Sequence, residues 1–489
     1  MPSRDDRMTR RRFLELTGAS AGMMALAACG APAGGPVAGT TPTTAPAGDA
    51  ASGAAGDAEV EPTPTPVPPR EAAAGRETVI ELYSVFAGAE HAGWIKTAEA
   101  FEAIQDKIGV KITYSPGHAE NPKLLTAVAG GAAPDLAQMT PFSTPQYAEL
   151  GVMTDLTEYM QQAGLTEDQF FPAAWADMNY QGKIWQMQWD ADPNFPFFWN
   201  KNLFEEVGLD PDKAPETIAE VDEVIAKINQ VKGGKVTRIG MIPWDQYGPS
   251  NSLFTWGWAF GGEFYDRQTE RVTPDNEYVV KALEWMAGHA KKIGGPDKVS
   301  VAPPNLQGHP FGTGNIGMSA LVTPNYRDIK EAGKFEMGTG LLPYAPPGAK
   351  APGEGAWFGG WALFIPKGAK NPDAAFEFMK YVSATKEGTE TQYKTVGFPP
   401  AWKPSPALEL MKNDPDMKPY YDVVTTAKHS RPAIPAGAFY FSTLDELVSE
   451  VINGKKQAGA AMKEAKERTE KEMERVKNEG RKFQVTVLA

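Results

Sequence analysis

Thr78-Val79-Ile80-Glu81-Leu82-Tyr83-Ser84-Val85-Phe86 is the stretch on which the fold turns. β-Branched and aromatic side chains dominate it, so it reads as a strand. Trp94, Ala98, Phe101 and Ile104 then recur at helical spacing between Ala92 and Lys107, and Val110-Lys111-Ile112-Thr113-Tyr114 alternates as a second strand. A helical stretch from Leu124 to Ala129 precedes a third strand candidate, Asp135-Leu136-Ala137-Gln138-Met139. This strand and helix alternation predicts a mainly parallel sheet covered by helices, an α/β lobe. Residues 77–489 exceed what one hydrophobic core usually holds, so at least two lobes are expected.

Upstream the chain is of a different kind. Thr9-Arg10-Arg11-Arg12-Phe13-Leu14 leads through an apolar run to Leu26-Ala27-Ala28-Cys29. A charged start, an apolar segment and a small-residue cleavage site make an export signal over residues 1–28, and the pair Arg10-Arg11 points to the twin-arginine route. Cys29 is the only cysteine, so no intramolecular disulfide forms. Its setting resembles a bacterial lipobox, which implies lipidation of Cys29. No later apolar run approaches the roughly 20 residues that span a bilayer. The expectation is a protein anchored by lipid to the outer face of the cytoplasmic membrane and otherwise soluble. Residues 29–76 are rich in Ala, Gly, Thr and Pro, as in Pro62-Thr63-Pro64-Thr65-Pro66-Val67-Pro68-Pro69, and predict an extended tether.

A net charge of −13 argues against nucleic acid as a partner, because an acidic surface repels phosphate backbones. Enzyme signatures are weak. Gly312-Thr313-Gly314-Asn315-Ile316-Gly317 fits a dinucleotide pattern but follows no strand and opens no helix. The five histidines are too scattered for a metal-ligand spacing, so neither metal nor other cofactor is expected. Asp190 and Asp192, read as two apart on a strand, would share one face, so both carboxyls would lie on one side of a solute and fail to flank one glycosidic bond.

Aromatic residues carry the chemistry. Trp185, Trp189, Phe195, Phe197, Phe198 and Trp199 cluster in one segment, and Phe254, Trp256, Trp258, Phe260, Phe264 and Tyr265 in another. Phe195 to Trp199 reads as a buried strand. Trp256 and Trp258 stand beside Gly257, Gly261 and Gly262, where a helix is expected to give way to a turn. Sugar rings stack on such aromatic faces, while carboxylates such as Asp190 and Asp192 take their hydroxyls.

Further motifs add a family resemblance. Ala127-Val128-Ala129-Gly130-Gly131-Ala132-Ala133-Pro134-Asp135, Gly182-Lys183-Ile184-Trp185, Phe198-Trp199-Asn200-Lys201-Asn202-Leu203-Phe204, Trp258-Ala259-Phe260-Gly261-Gly262, Gly359-Gly360-Trp361-Ala362-Leu363-Phe364-Ile365-Pro366 and Arg431-Pro432-Ala433-Ile434-Pro435 recur in order. Together they resemble the extracellular solute-binding proteins of ABC transporters, family 1, the maltose-binding-protein relatives. The resemblance implies a two-lobe, hinge-connected α/β fold of the periplasmic-binding-protein type II, with ligand in the interlobe cleft. Lobe 1 would hold 77–188 plus 343–398, and lobe 2 would hold 189–342 plus 399–489, ending in a charged helix. It implies stacking roles for Phe254, Trp256, Tyr326 and Tyr440, joined by Trp258, by Trp361 from the first lobe and by Glu90 as a hydroxyl partner. The expected function is a monomeric, non-enzymatic receptor that passes a mono- or oligosaccharide to an ABC permease. A polyamine, organic acid or phosphorylated polyol is the alternative solute, and an exported carbohydrate-active enzyme is the alternative of another class.

Overall fold

The computed structural model describes residues 68–117, 121–244, 247–299 and 309–487. The expectations for Arg10, Arg11, Cys29 and the tether as far as Val67 lie outside the described residues.

The opening segment folds as β1 (Thr78–Ser84), α1 (Gly88–Ala103), β2 (Ile108–Tyr114), α2 (Pro122–Ala129) and β3 (Leu136–Met139). The sequence dictates this locally: the Asn121 side chain accepts the Leu124 N–H at the start of α2, and Pro122 fills the first helical position, where no donor is lost. β1 pairs in parallel with β2, Thr78 opposite Ile108, and with β3, Leu82 opposite Leu136. Trp94, Ala98 and Phe101 of α1 are buried, as the periodicity predicts.

The chain continues through α3 (Pro172–Met178) and β4 (Met187–Gln188), then crosses to a second body through β5 (Pro193–Asn194) and β6 (Phe197–Asn200). There it builds α4 (Pro249–Ala259), β7 (Met318–Ala320) and β8 (Met337–Gly340) before returning through β9 (Trp357–Phe358) to β10 (Ala362–Phe364). It finishes through β11 (His429–Ser430), α5 (Gly437–Ile452) and α6 (Ala458–Val487). The first sheet has the order β2-β1-β3-β10-β4, with β10 antiparallel to β3 and β4. The second body is centred on β7-β6-β8, and a small sheet β11-β9-β5 lies where the chain crosses.

Two hydrophobic clusters follow this division. One gathers Ile80, Leu82, Trp94, Phe101, Met187, Leu363 and Phe378; the other gathers Phe197, Phe198, Trp256, Trp357, Leu444 and Val448.

Four boundaries differ from expectation. Trp357 and Phe358 pack in the second core while β10 belongs to the first sheet, so the return crossing falls at Gly359 to Trp361 and not at 343. Ordered chain begins before Glu77, because Arg70 bridges Ile112 and Arg76 bonds the Gln105 carbonyl. The charged C-terminal stretch is two helices, broken at residues 453–457. Asp190 and Asp192 lie between β4 and β5, outside regular strand, and the Asp192 N–H donates to the Asp190 carboxylate at 2.8 Å. Strand alternation therefore does not describe that pair. Finally, α6 runs from the second body back to the first: a Cβ on Gly480 would sit 2.3 Å from the Glu149 carbonyl oxygen.

Candidate ligand-binding site

Three stretches connect the lobes, and they are bonded to one another. Trp189 N–H donates to the Trp361 carbonyl at 3.2 Å, Ala191 N–H to the Pro399 carbonyl at 2.8 Å and Gly359 N–H to the Asp192 carbonyl at 3.0 Å. Gln188 completes the set, its amide donating to the Asp190 and Gly359 carbonyls at 2.8 and 3.0 Å. Two glycines make this approach possible. A Cβ on Gly359 would stand 2.7 Å from the Asn194 amide nitrogen, and Gly360, at φ +102°, would place one 2.3 Å from the Asp190 carbonyl oxygen.

Charges gather at this crossing. Asp190 is wholly buried, and burial together with the neighbouring Asp192 pushes its carboxyl well above the usual carboxylate range. Burial also raises Asp192, opposed by the Asn194 amide and by the charge of Arg431. Arg431 is enclosed by aromatic rings from separate parts of the chain: its guanidinium lies 4.8 Å from the ring of Phe142, 5.2 Å from Trp357 and 5.7 Å from Phe441. Phe142 comes from the turn after β3, and it stacks on Phe441 of α5 at 6.2 Å with 15° between planes. Among the described residues the guanidinium makes no hydrogen bond and no ion pair; Asp192 and Asp177 act on it only at longer range. Tyr247 completes the cluster. It is 62% exposed, takes a left-handed backbone at φ 64° that non-glycine residues rarely adopt, and feels the charges of both Asp192 and Arg431.

The site therefore offers the Asp192 carboxyl, a guanidinium fork with no partner among the described residues, the exposed phenol of Tyr247 and the partly buried ring of Phe441, with Phe142 and Trp357 buried behind them. A polyhydroxylated solute matches that combination, since its hydroxyls both donate and accept while its C–H faces stack. A dry apolar ligand would leave the charges unpaired.

Asp192 is the expected residue that stands nearest this constellation, with Asp190 directly behind it. Of the expected stacking aromatics, Phe254 stands behind Phe441 at 6.4 Å and Trp258 behind Trp357 at 6.0 Å, while the others are farther into the two lobes. Trp256 and Trp258 sit inside α4 and not in a turn. Trp256 is fully buried against Trp285 at 5.2 Å, and its indole N–H donates to the Pro243 carbonyl. Phe254 packs on Phe264 at 4.7 Å and on Trp258 at 5.4 Å. Trp258 also stacks on His429 at 4.9 Å and, with Glu263 and Arg267, lines a pocket of about 410 Å³ to which Ser430 and Pro432, the neighbours of Arg431, also contribute. Tyr440 is buried with its hydroxyl directed at the Phe264 carbonyl. Tyr326 stacks on Phe198 at 5.1 Å and donates to Asp416 at 3.0 Å. Trp361 meets Phe86 edge-on at 4.9 Å in the first lobe. Glu90 lies in the first turn of α1, where the helix N-terminus favours its charge.

Arg431, Tyr247, Phe142 and Phe441 were not singled out by sequence. One signal was present: Tyr440 shares the i+4, i+7 and i+8 spacing of the buried Leu444, Leu447 and Val448, which assigns it to the core stripe of α5 and turns Phe441 away from it.

Two α/β bodies joined by bonded crossings, with a polar and aromatic site at the junction, define a two-lobe solute-binding protein. The chain belongs to the family of bacterial extracellular solute-binding proteins, which it matches over residues 96–419. It is 22% identical over 350 residues to the sn-glycerol-3-phosphate-binding periplasmic protein UgpB of Escherichia coli (strain K12), covering 69% of this chain and 77% of that protein. It is similar in structure to CpMnBP1 with mannotriose bound, at a TM-score of 0.67 and 26% identity over 80% of this chain and 99% of the other. It is also similar to the GacH receptor of Streptomyces glaucescens GLA.O, described unliganded and with acarbose, at a TM-score of 0.64 and 22% identity over 81% and 99%. Among the described residues no helix is long and apolar enough to cross a membrane.

Proposed function

We propose that this protein captures a sugar between its lobes and delivers it to an ABC import permease. The observation that carries this reading is the convergence of Asp192, Arg431 and Tyr247 with the rings of Phe142, Trp357 and Phe441 where the lobes join. Sugar hydroxyls would bridge the carboxylate and the guanidinium, which do not pair with each other, and a sugar face would stack on Tyr247 or Phe441, the rings of the cluster that are not buried. Contacts from both lobes favour the closed arrangement, so solute shifts a hinged equilibrium and the permease reads the closed form. No bond in the solute needs to break. The relatives with mannotriose and acarbose support a carbohydrate. In this reading the chain leaves the cell by the twin-arginine route, is lipidated at Cys29 and works as a monomer at the outer face of the cytoplasmic membrane.

A second reading has one observation in its favour. An unpaired guanidinium also suits the phosphate of a polyol phosphate, the solute class in the name of the Escherichia coli relative.

A thermal-shift series with mannobiose, mannotriose, maltose, acarbose and sn-glycerol 3-phosphate separates the two. Solute at 100 times its Kd adds about 2.7 kcal/mol of stability. A shift with neutral sugars supports the first reading; a shift with the phosphate alone replaces it with the second. Appearance of cleavage products from any sugar would overturn a purely binding role.

A further inference from the structure

Nine residues ahead of β1, Pro68 to Arg76, are fastened to the first lobe by contacts that no part of ligand binding uses. Arg70 forms a bidentate ion pair with Glu102 at the end of α1, at 2.9 and 2.7 Å. The pair is enclosed: the Arg70 side chain is 10% exposed and that of Glu102 is 4%. Glu102 also accepts the Val110 N–H at 2.8 Å and the Ala73 N–H at 3.4 Å, so one carboxylate ties strap, helix and strand together. Arg70 additionally donates to the Val110 carbonyl. Its own backbone exchanges both hydrogen bonds with Ile112, at 2.9 and 2.8 Å, on the outer edge of β2. Arg76 caps the end of α1 by donating to the Glu102 and Gln105 carbonyls. Gly109 leaves the room required, since a Cβ there would stand 2.8 Å from the Ala72 side chain and 2.9 Å from that of Arg76.

Every one of these partners belongs to α1, β2 or the turn between them. The segment pairs with an open sheet edge, where exposed backbone otherwise invites other chains, and its arginine fork matches a carboxylate that nothing else would neutralise.

We propose that Pro68 to Arg76 is a strap that belongs to the first lobe, its contacts among the described residues all lying there, so that a pull on the chain ahead of Pro68 is borne by this lobe and not by the crossing or the second lobe. A strap bonded to both lobes would oppose their motion; one bonded to a single lobe does not. The proposal rests on the two-lobe fold and is independent of which solute is bound.

The test uses the full chain with Cys29→Ser, spin labels at Glu71→Cys paired with either Glu158→Cys in the first lobe or Lys232→Cys in the second, and no solute. The expected result is a narrow strap-to-first-lobe distance distribution that broadens at least twofold in Arg70→Gln. The strap-to-second-lobe distribution should be as wide as that between Glu158→Cys and Lys232→Cys, because the strap rides with the first lobe. Trypsin gives a second readout at the Arg76-Glu77 bond, with cleavage at least tenfold faster in Arg70→Gln while circular dichroism stays native. A strap distribution already broad in the parent, or a strap whose distance to the second lobe is the sharper of the two, overturns the proposal. So does equal cleavage of parent and variant. Failure of every sugar to bind would leave these outcomes unchanged.

Discussion

Arg70 and Arg431 are both enclosed guanidinium groups near carboxylates, and among the described residues only the first is hydrogen-bonded. Arg70 meets Glu102 through two nitrogens, with Val110 and Ala73 sharing the same carboxylate. Arg431 has three aromatic rings around it and Asp192 beyond ion-pairing distance. A buried charge with all its partners inside one lobe is fastening. A charge left open where two lobes meet is costly to the empty protein and recoverable only by a partner from solution. The difference separates the residues that build this molecule from those that engage its solute.

The comparison breaks most visibly on the structural side. Glu102→Gln should cost about 3–5 kcal/mol, because it strands a buried guanidinium, while solute affinity is unchanged; denaturant melts with matched titrations check both. Tyr440→Ala should likewise cost about 3–5 kcal/mol of stability through a core cavity and leave affinity intact. A loss of affinity without a loss of stability would return Tyr440 to the site. On the open side the signs reverse: Arg431→Gln should weaken solute binding by about 1.5–3 kcal/mol, the worth of hydrogen bonds to a charged group, with stability equal or higher. Calorimetry on a folded variant decides it, and unaltered binding would remove Arg431 from the site. Phe441→Ala, one residue from Tyr440, should cost about 0.5–1.5 kcal/mol in binding.

The smallest effect concerns a third arginine and acid. Asp177 of α3 accepts from Ser430 and pairs with Arg267, yet burial pushes its carboxyl from 3.8 up to about 6. Between those values the folded state binds more protons than the unfolded one, so this group makes stability fall as pH rises from about 4 to 6 and level off above. Asp177→Asn should flatten that part of the profile, read from melting temperature against pH.

The first lobe was legible in the sequence because its strands and helices repeat at their own periods: β1, α1, β2, α2 and β3 fall where Ile80, Trp94, Ile112, Leu124 and Met139 predict. The ordered family motifs carry the two-lobe fold, though they place the return crossing too early in the chain. The site was read less well, for a physical reason. Aromatic residues fill cores and line sites alike, and composition does not tell which way a ring points. Trp256 and Phe254 answer to helix packing inside α4, whereas Phe142 and Arg431 meet only after the chain has crossed between lobes three times. Such long-range encounters leave no local period. Asp192 is legible as a candidate because it neighbours a crossing, whereas the mark that sets Tyr247 apart is a backbone angle that sequence does not display.

The two ends of the described chain deserve to be considered together. Pro68 to Arg76 enters on the edge of the first sheet, and α6, after covering the second body, comes to rest with Gly480 against Glu149 of the first. The last helix is therefore in contact with both bodies, whereas the strap is bonded to one. A reporter attached ahead of the strap would travel with the first lobe, and one placed on an exposed loop of the second would travel with that lobe, which makes this architecture a natural frame for a sensor in which the signal is the motion of one half seen from the other.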